Sequence, residues 1–144
     1  MIYMKENIFR NIILLTIIFV TLTSTNVLFA ENNENSLNVC DNYTQALDNA
    51  KLENRNIILI FDQESCSWCE VFKKNTLEND DVIEKLNSNY ITTIVDINKN
   101  PEIASKYSVY GTPTVVILNS EANEIYRNEG YLPPDEFLKN IEEI

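Results

Sequence analysis

Two apolar runs in this chain are unbroken and short. Ile57-Ile58-Leu59-Ile60-Phe61 and Thr114-Val115-Val116-Ile117-Leu118 have the length and β-branched content of strands covered on both faces. Ile91 to Ile97 reads as a further strand, and the short Glu124 to Arg127 segment, after a turn at Asn119 to Asn123, reads as the return arm of a hairpin. Between these runs the apolar positions recur at helical spacing. Tyr43, Ala46, Leu47 and Ala50 share one face, with Asp41 or Asn42 as the cap. Val71, Phe72 and Leu77 continue a helix that starts near Cys66, and after a break Asp80 or Asp81 opens another with Val82, Ile83, Leu86 and Tyr90 on one side. Asn100-Pro101 is a start signal, asparagine as cap and proline at the first helical position, with Ile103, Ala104 and Tyr107 facing inward. Pro133 and Pro134 precede Asp135 and Glu136, which suit a helix N-terminus, and Phe137, Leu138, Ile141 and Ile144 form the stripe of a last helix. Strand, helix, strand, helix, strand, strand, helix predicts an α/β fold with a mixed sheet.

One apolar run fits none of this. Ile12 to Val20 follows Lys5 and Arg10 and gives way to the more polar Thr21 to Asn26, the layout of a targeting segment. Residues 1–30 are therefore expected to be a signal peptide cleaved after Ala30, or a signal anchor if they stay attached. Residues 31–40, rich in Glu, Asn and Ser, read as a linker without a core of their own, and residues 41–144 as one domain. The expected location is extracytoplasmic, secreted or periplasmic, where disulfides on other proteins are available as substrates.

Charge narrows the partners. There are 11 basic and 22 acidic side chains and no histidine, a net charge of -11, so nucleic acid is excluded as a partner. Acidity of this kind keeps a solvated surface soluble, consistent with a monomer.

The chemistry lies in Cys66-Ser67-Trp68-Cys69, entered directly from the first strand. With Cys66 at the first turn of a helix, Cys69 is its neighbour one turn on. Unpaired backbone N–H groups and the helix dipole there favour a thiolate, which makes Cys66 the more acidic sulfur. A thiolate attacks disulfides, and a second thiol at this spacing resolves the product. The same spacing supplies half of many zinc sites, but a structural site wants four ligands and this chain offers only Cys40 in addition. Metal and a purely structural disulfide remain the alternatives to redox chemistry. No cofactor is called for. Cys40 itself is either an idle, partly buried thiol or one that pairs outside the domain. Asp62 and Glu64 are carboxylates near enough in sequence to exchange protons with Cys69, or else surface acids. Trp68 is either a substrate-contacting ring or one packed on the domain.

Two motifs together, the Cys66–Cys69 pair and Val109-Tyr110-Gly111-Thr112-Pro113-Thr114 some forty residues later, resemble the thioredoxin superfamily over roughly residues 41–144. The resemblance implies a thioredoxin fold, a mixed β-sheet flanked by helices on both faces, with Cys66 as nucleophile and Cys69 as resolving thiol. It implies a cis peptide bond before Pro113, which lies beside the dithiol, and a Thr112 backbone that pairs with the substrate chain. Protein disulfides or dithiols are the implied substrates, with a membrane electron-transfer partner to recharge the protein. The reductant direction is expected, because the intervening pair is Ser-Trp and lacks the histidine of strong oxidants. Ile60 stands where thioredoxins keep a buried acid, and Lys74 where they place a kinking proline. The rival reading is a peptide-binding or chaperone-like module whose Cys66–Cys69 bond is structural.

Overall fold

Local chemistry accounts for most of the element boundaries in the computed structural model, which describes residues 35–142 and Ile144; the expectations for residues 1–30 fall outside that range. Helix α1 spans Tyr43–Glu53, capped by Asn42, whose side chain accepts from Gln45 N at 2.9 Å. It ends at Asn54 in the left-handed region, a conformation asparagine tolerates better than most residues. Strand β1, Asn56–Asp62, follows at once and is buried from Ile57 onward. Helix α2, Ser67–Phe72, runs into a π-helical turn, Lys73–Leu77.

Helix α3, Asp80–Asn89, is capped by Asn79, which accepts from the N–H groups of Asp81 and Val82. The helix opens at Asp80 as expected, and Asp80 and Asp81 place their charges in its first turn. Tyr90 is not on that helix. It opens strand β2, Tyr90–Asp96, yet remains buried, with its hydroxyl on Ile141 O at 3.1 Å.

Helix α4, Pro101–Lys106, has proline at its start as expected, but Asn100 makes no side-chain cap. Its amide donates to Asp96 O at 3.1 Å instead, closing the turn that Asp96 organises through the N–H groups of Asn98 and Lys99. Strands β3, Thr114–Leu118, and β4, Glu124–Glu129, form the hairpin, and helix α5, Pro134–Ile141, closes the fold.

The four strands lie in the order β2-β1-β3-β4. β1 pairs parallel with β2 and antiparallel with β3, and β3 pairs antiparallel with β4. Strand alternation then divides the core between the two faces. Ile58, Ile60, Val115 and Ile117 meet Phe72, Leu77, Val82, Leu86, Phe137 and Ile141 on one side. Ile57, Leu59, Phe61, Val116 and Leu118 meet Ala50, Ala104 and Tyr107 on the other. Each large side chain buried in this way contributes about 1.5–3 kcal/mol.

Residues 35–40 depart from the expected linker. Val39 bridges in parallel to Thr92, Leu37 packs on the first core, and Asn87 holds Asn38 N and Ser36 O. The polar composition hid a short segment that covers the β2 edge through its backbone.

Candidate active site

β1 runs toward Cys66, and β3 starts from Pro113 in the opposite sense, so antiparallel pairing of Phe61 with Thr114 brings both motifs to one end of the sheet. The chain turns out of β1 through Ser65, at φ 65° in the left-handed region, and reaches Cys66 at the N-cap of α2, just ahead of the first turn where the spacing placed it. Cys66 and Cys69 are joined as a disulfide, with Cα atoms 5.2 Å apart. Cys69 is 1% exposed, whereas Cys66 is half-buried.

Two donors converge on the Cys66 sulfur. Cys69 N–H lies 3.1 Å from Cys66 Sγ, and the Thr112 hydroxyl donates to it at 3.3 Å. Thr112 O is 3.6 Å away, a contact that a Cys66 thiol can use as a donor once the bond is reduced. The Thr112–Pro113 peptide bond is cis, and Pro113 is buried.

Asp62 and Glu64 part company. Glu64 is exposed in the turn. Asp62, the last residue of β1, is buried under the helix and meets Lys73 Nζ at 2.6 Å. Hydrogen bonding to Asp62 and the charges of Asp62 and Glu70 hold the Lys73 ammonium above its ordinary value, against the opposing effect of burial. Lys73 lies one turn beyond Cys69, to whose carbonyl its backbone N–H is bonded. Side chains four residues apart on a helix are neighbours, which puts Lys73 on the same helix face as Cys69.

Trp68 packs on the domain and is nevertheless largely exposed. The residue is 62% exposed, and its ring stacks on Tyr131 with centroids 5.8 Å apart. Tyr131 in turn meets the edge of Phe72. Trp68, Thr112, Pro113, Gly130 and Tyr131 line a groove of about 330 Å³ next to the disulfide. Gly130, at φ 96°, donates its N–H to Pro113 O at 2.8 Å and so ties the Tyr131 loop to the proline loop.

The sequence reading missed Gly130, Tyr131 and Lys73. One of only two glycines in the chain, sitting directly after the hairpin and before an aromatic residue, was the available signal for the first two. Cys40 is free and lies against the β2 edge, with its N–H on Thr92 O.

A four-stranded mixed sheet that presents a Cys-x-x-Cys disulfide at a helix N-terminus, beside a cis-proline loop, defines the thioredoxin-fold class, whose members include the thiol–disulfide oxidoreductases. Comparison with known proteins agrees. A family model described as a thioredoxin-like domain matches residues 43–144, and the chain belongs to that family. Its fold superposes on a thioredoxin from Thermus thermophilus with a TM-score of 0.69 and 30% identity, covering 75% of this chain and 86% of that one. A DsbH oxidoreductase gives a TM-score of 0.67 at 19% identity, covering 85% and 95% of the two chains, a likeness of fold. Among curated sequences, spermatogenesis-associated protein 20 of Rattus norvegicus is 26% identical over 105 residues, 67% of this chain but 13% of that protein. The chain therefore corresponds to a small part of that relative. The prophage-derived thioredoxin-like protein YosR of Bacillus subtilis is 27% identical over 86 residues, 58% of this chain and 96% of its own.

Proposed function

We propose that the protein is an extracytoplasmic thiol–disulfide oxidoreductase that reduces disulfides in other proteins. The observation that carries this reading is the asymmetry of the pair: Cys66 is only half-buried and has two donors on its sulfur, while Cys69 is buried. In the reduced protein, the Cys66 thiolate attacks one sulfur of a substrate disulfide and expels the other as a thiolate. A mixed disulfide results. Cys69 loses its proton and attacks Cys66 Sγ, which re-forms the intramolecular disulfide and releases the second substrate thiol. Two electrons pass from the dithiol to the substrate, and the expelled thiolates take up the protons. A dithiol or other two-electron donor at the membrane then reduces Cys66–Cys69 again.

The donors on Cys66 Sγ support the reductant direction. Both are neutral, one N–H and one hydroxyl, and the Lys73 ammonium is committed to Asp62. Strong oxidants owe their potential to a heavily stabilised thiolate, which a cation supplies best. The location rests on the targeting pattern of residues 1–30, and the roles of Thr112 and Pro113 in pairing with substrate rest on the family likeness and on their position in the groove.

The test is the equilibrium reduction potential of the Cys66–Cys69 pair in the full-length chain carrying Cys40→Ser. A value near about -270 mV supports the reductant, and one near about -120 mV replaces it with an oxidant. A pair with no reversible two-electron transition overturns the redox reading. Retention of activity by Cys66→Ser points instead to a peptide-binding module with a structural disulfide.

A further inference from the structure

We infer that the Trp68–Tyr131 groove selects substrates by a cationic side chain, arginine or lysine, lying next to the disulfide to be exchanged, so that basic extended segments are the preferred partners. This deepens the oxidoreductase reading and rests on it.

The groove offers a cation what it needs. One face of Trp68 rests on Tyr131 and the residue is still mostly exposed, leaving an open aromatic surface within reach of Cys66. Tyr131 is held from behind by Phe72, and the Gly130–Pro113 hydrogen bond fixes its loop, so the platform exists before any ligand arrives. Cations over tryptophan and tyrosine faces are attracted by the ring quadrupole, with tryptophan the strongest.

Charge around the groove points the same way. Glu64 lies two residues before Cys66, Glu70 two after Trp68, and Glu129 two before Tyr131, and all three are exposed. Lys73 and Arg127, the cations at ion-pair distance from Glu70 and Glu129, are shared with Asp62 and Glu124. Lys73 sits at 2.6 Å from Asp62 and only 3.7 Å from Glu70. Arg127 is bound to Glu124 through two nitrogens and stands 3.9 Å from Glu129. The groove lining contains no charged group, so a cation entering it meets π faces with no competing positive charge. The net charge of -11 on the whole chain adds attraction at longer range, screened by salt. An uncharged apolar side chain would use the rings without the charge attraction, and an acidic one would be repelled.

Trp68 is the single tryptophan of the chain, so its fluorescence reports the groove directly and without any redox step. The oxidised full-length protein is titrated with cysteine-free heptapeptides that carry serine at the centre, flanked by Arg, Leu or Glu. The expected result is a saturable change in Trp68 emission, with Kd for the Arg peptide at least fivefold below that for Leu, no saturation with Glu, and weaker Arg binding at high salt. Tyr131→Phe keeps the preference and Tyr131→Leu, which removes one of the two aromatic faces, weakens it. Equal or tighter binding of the Leu peptide, no saturable change with Arg, or an unchanged preference in Tyr131→Leu overturns the inference. Exchange on a disulfide-bonded protein is assayed separately. Exchange without Arg selectivity removes this inference alone, and Arg-selective binding by an inert disulfide removes the oxidoreductase reading alone.

Discussion

The Thr112 side chain was expected to matter only through its backbone, and its hydroxyl proves to be one of two donors on the Cys66 sulfur. A hydrogen bond to a charged group contributes about 1.5–3 kcal/mol, so Thr112→Val, which keeps the shape and removes the donor, should slow alkylation of reduced Cys66 at pH 6 about tenfold or more. Iodoacetamide kinetics on the Cys40→Ser background measure this; an unchanged rate would mean that the hydroxyl turns away once the disulfide opens. Cys69→Ser removes the resolving thiol and leaves Cys66. Incubation of that variant with a disulfide substrate is expected to accumulate the mixed disulfide, visible as a mass adduct that a reductant releases. Its absence would place the nucleophile elsewhere.

At the scale of elements, caps and tight turns can be tested one by one. Asn79 supplies both side-chain cap bonds of α3, and Asn79→Ala is expected to cost about 1 kcal/mol, read as a lower denaturation midpoint with unchanged slope. Gly130, at φ 96°, has open space where a Cβ would go, so Gly130→Ala meets only backbone strain. A cost of about 1–2 kcal/mol is expected. These sites also show what a sequence can reveal. The strands were legible because burial on both faces leaves unbroken apolar runs, and the dithiol because its spacing carries the chemistry. Asn100 was misread as a side-chain cap because its competing partner, Asp96 O, is set by the conformation of a turn. Lys73 and Tyr131 were invisible for a related reason: their roles depend on Asp62 and Trp68, which only the fold brings to them. The π-helical turn at Lys73–Leu77 lies where thioredoxins have a proline and this chain has Lys74, so the irregularity persists without that residue. It leaves Thr76 buried, with its hydroxyl on Leu132 O at 2.6 Å, which ties the end of the dithiol helix to the loop that carries Tyr131.

For the whole molecule, the first core links stability to the site. Phe137 is fully buried, with its ring 5.7 Å from that of Phe72, and Phe72 supports Tyr131. Phe137→Ala is expected to cost about 3–5 kcal/mol and to change Trp68 emission, although the two residues are on different helices. Ionisation sets the alkaline limit. Burial raises Tyr90, Tyr107 and Tyr126 above the usual 10.0, and hydrogen bonding to Asp62 raises Lys73. In the unfolded chain these groups lose protons first, so above about pH 10 the unfolded state binds fewer protons and stability falls as pH rises. Denaturation midpoints between pH 9 and 12 should decline, and Tyr90→Phe should flatten the decline while lowering stability at neutral pH by about 1 kcal/mol. On the acid side Asp96 behaves in the opposite sense. Desolvation opposes the shift, but the N–H groups of Asn98 and Lys99 and the Lys99 ammonium hold its carboxyl below the ordinary value, so its contribution is lost as pH falls through that lowered value.

The outer rim of the sheet has a consequence for life in a crowded compartment. A bare strand edge is a template on which a second copy can polymerise, and slow growth of that kind ends in fibrils. Here one rim is already occupied by the backbone of Val39, and the other is β4, Glu124-Ile125-Tyr126-Arg127-Asn128-Glu129, with acids at both ends and an arginine between them. A second β4 aligned antiparallel would bring Glu124 opposite Glu129 at each end, and the like charges would push it away. These charges oppose pairing between copies at this edge, and neutralising Glu124 and Glu129 together is expected to lower the concentration at which the protein gels.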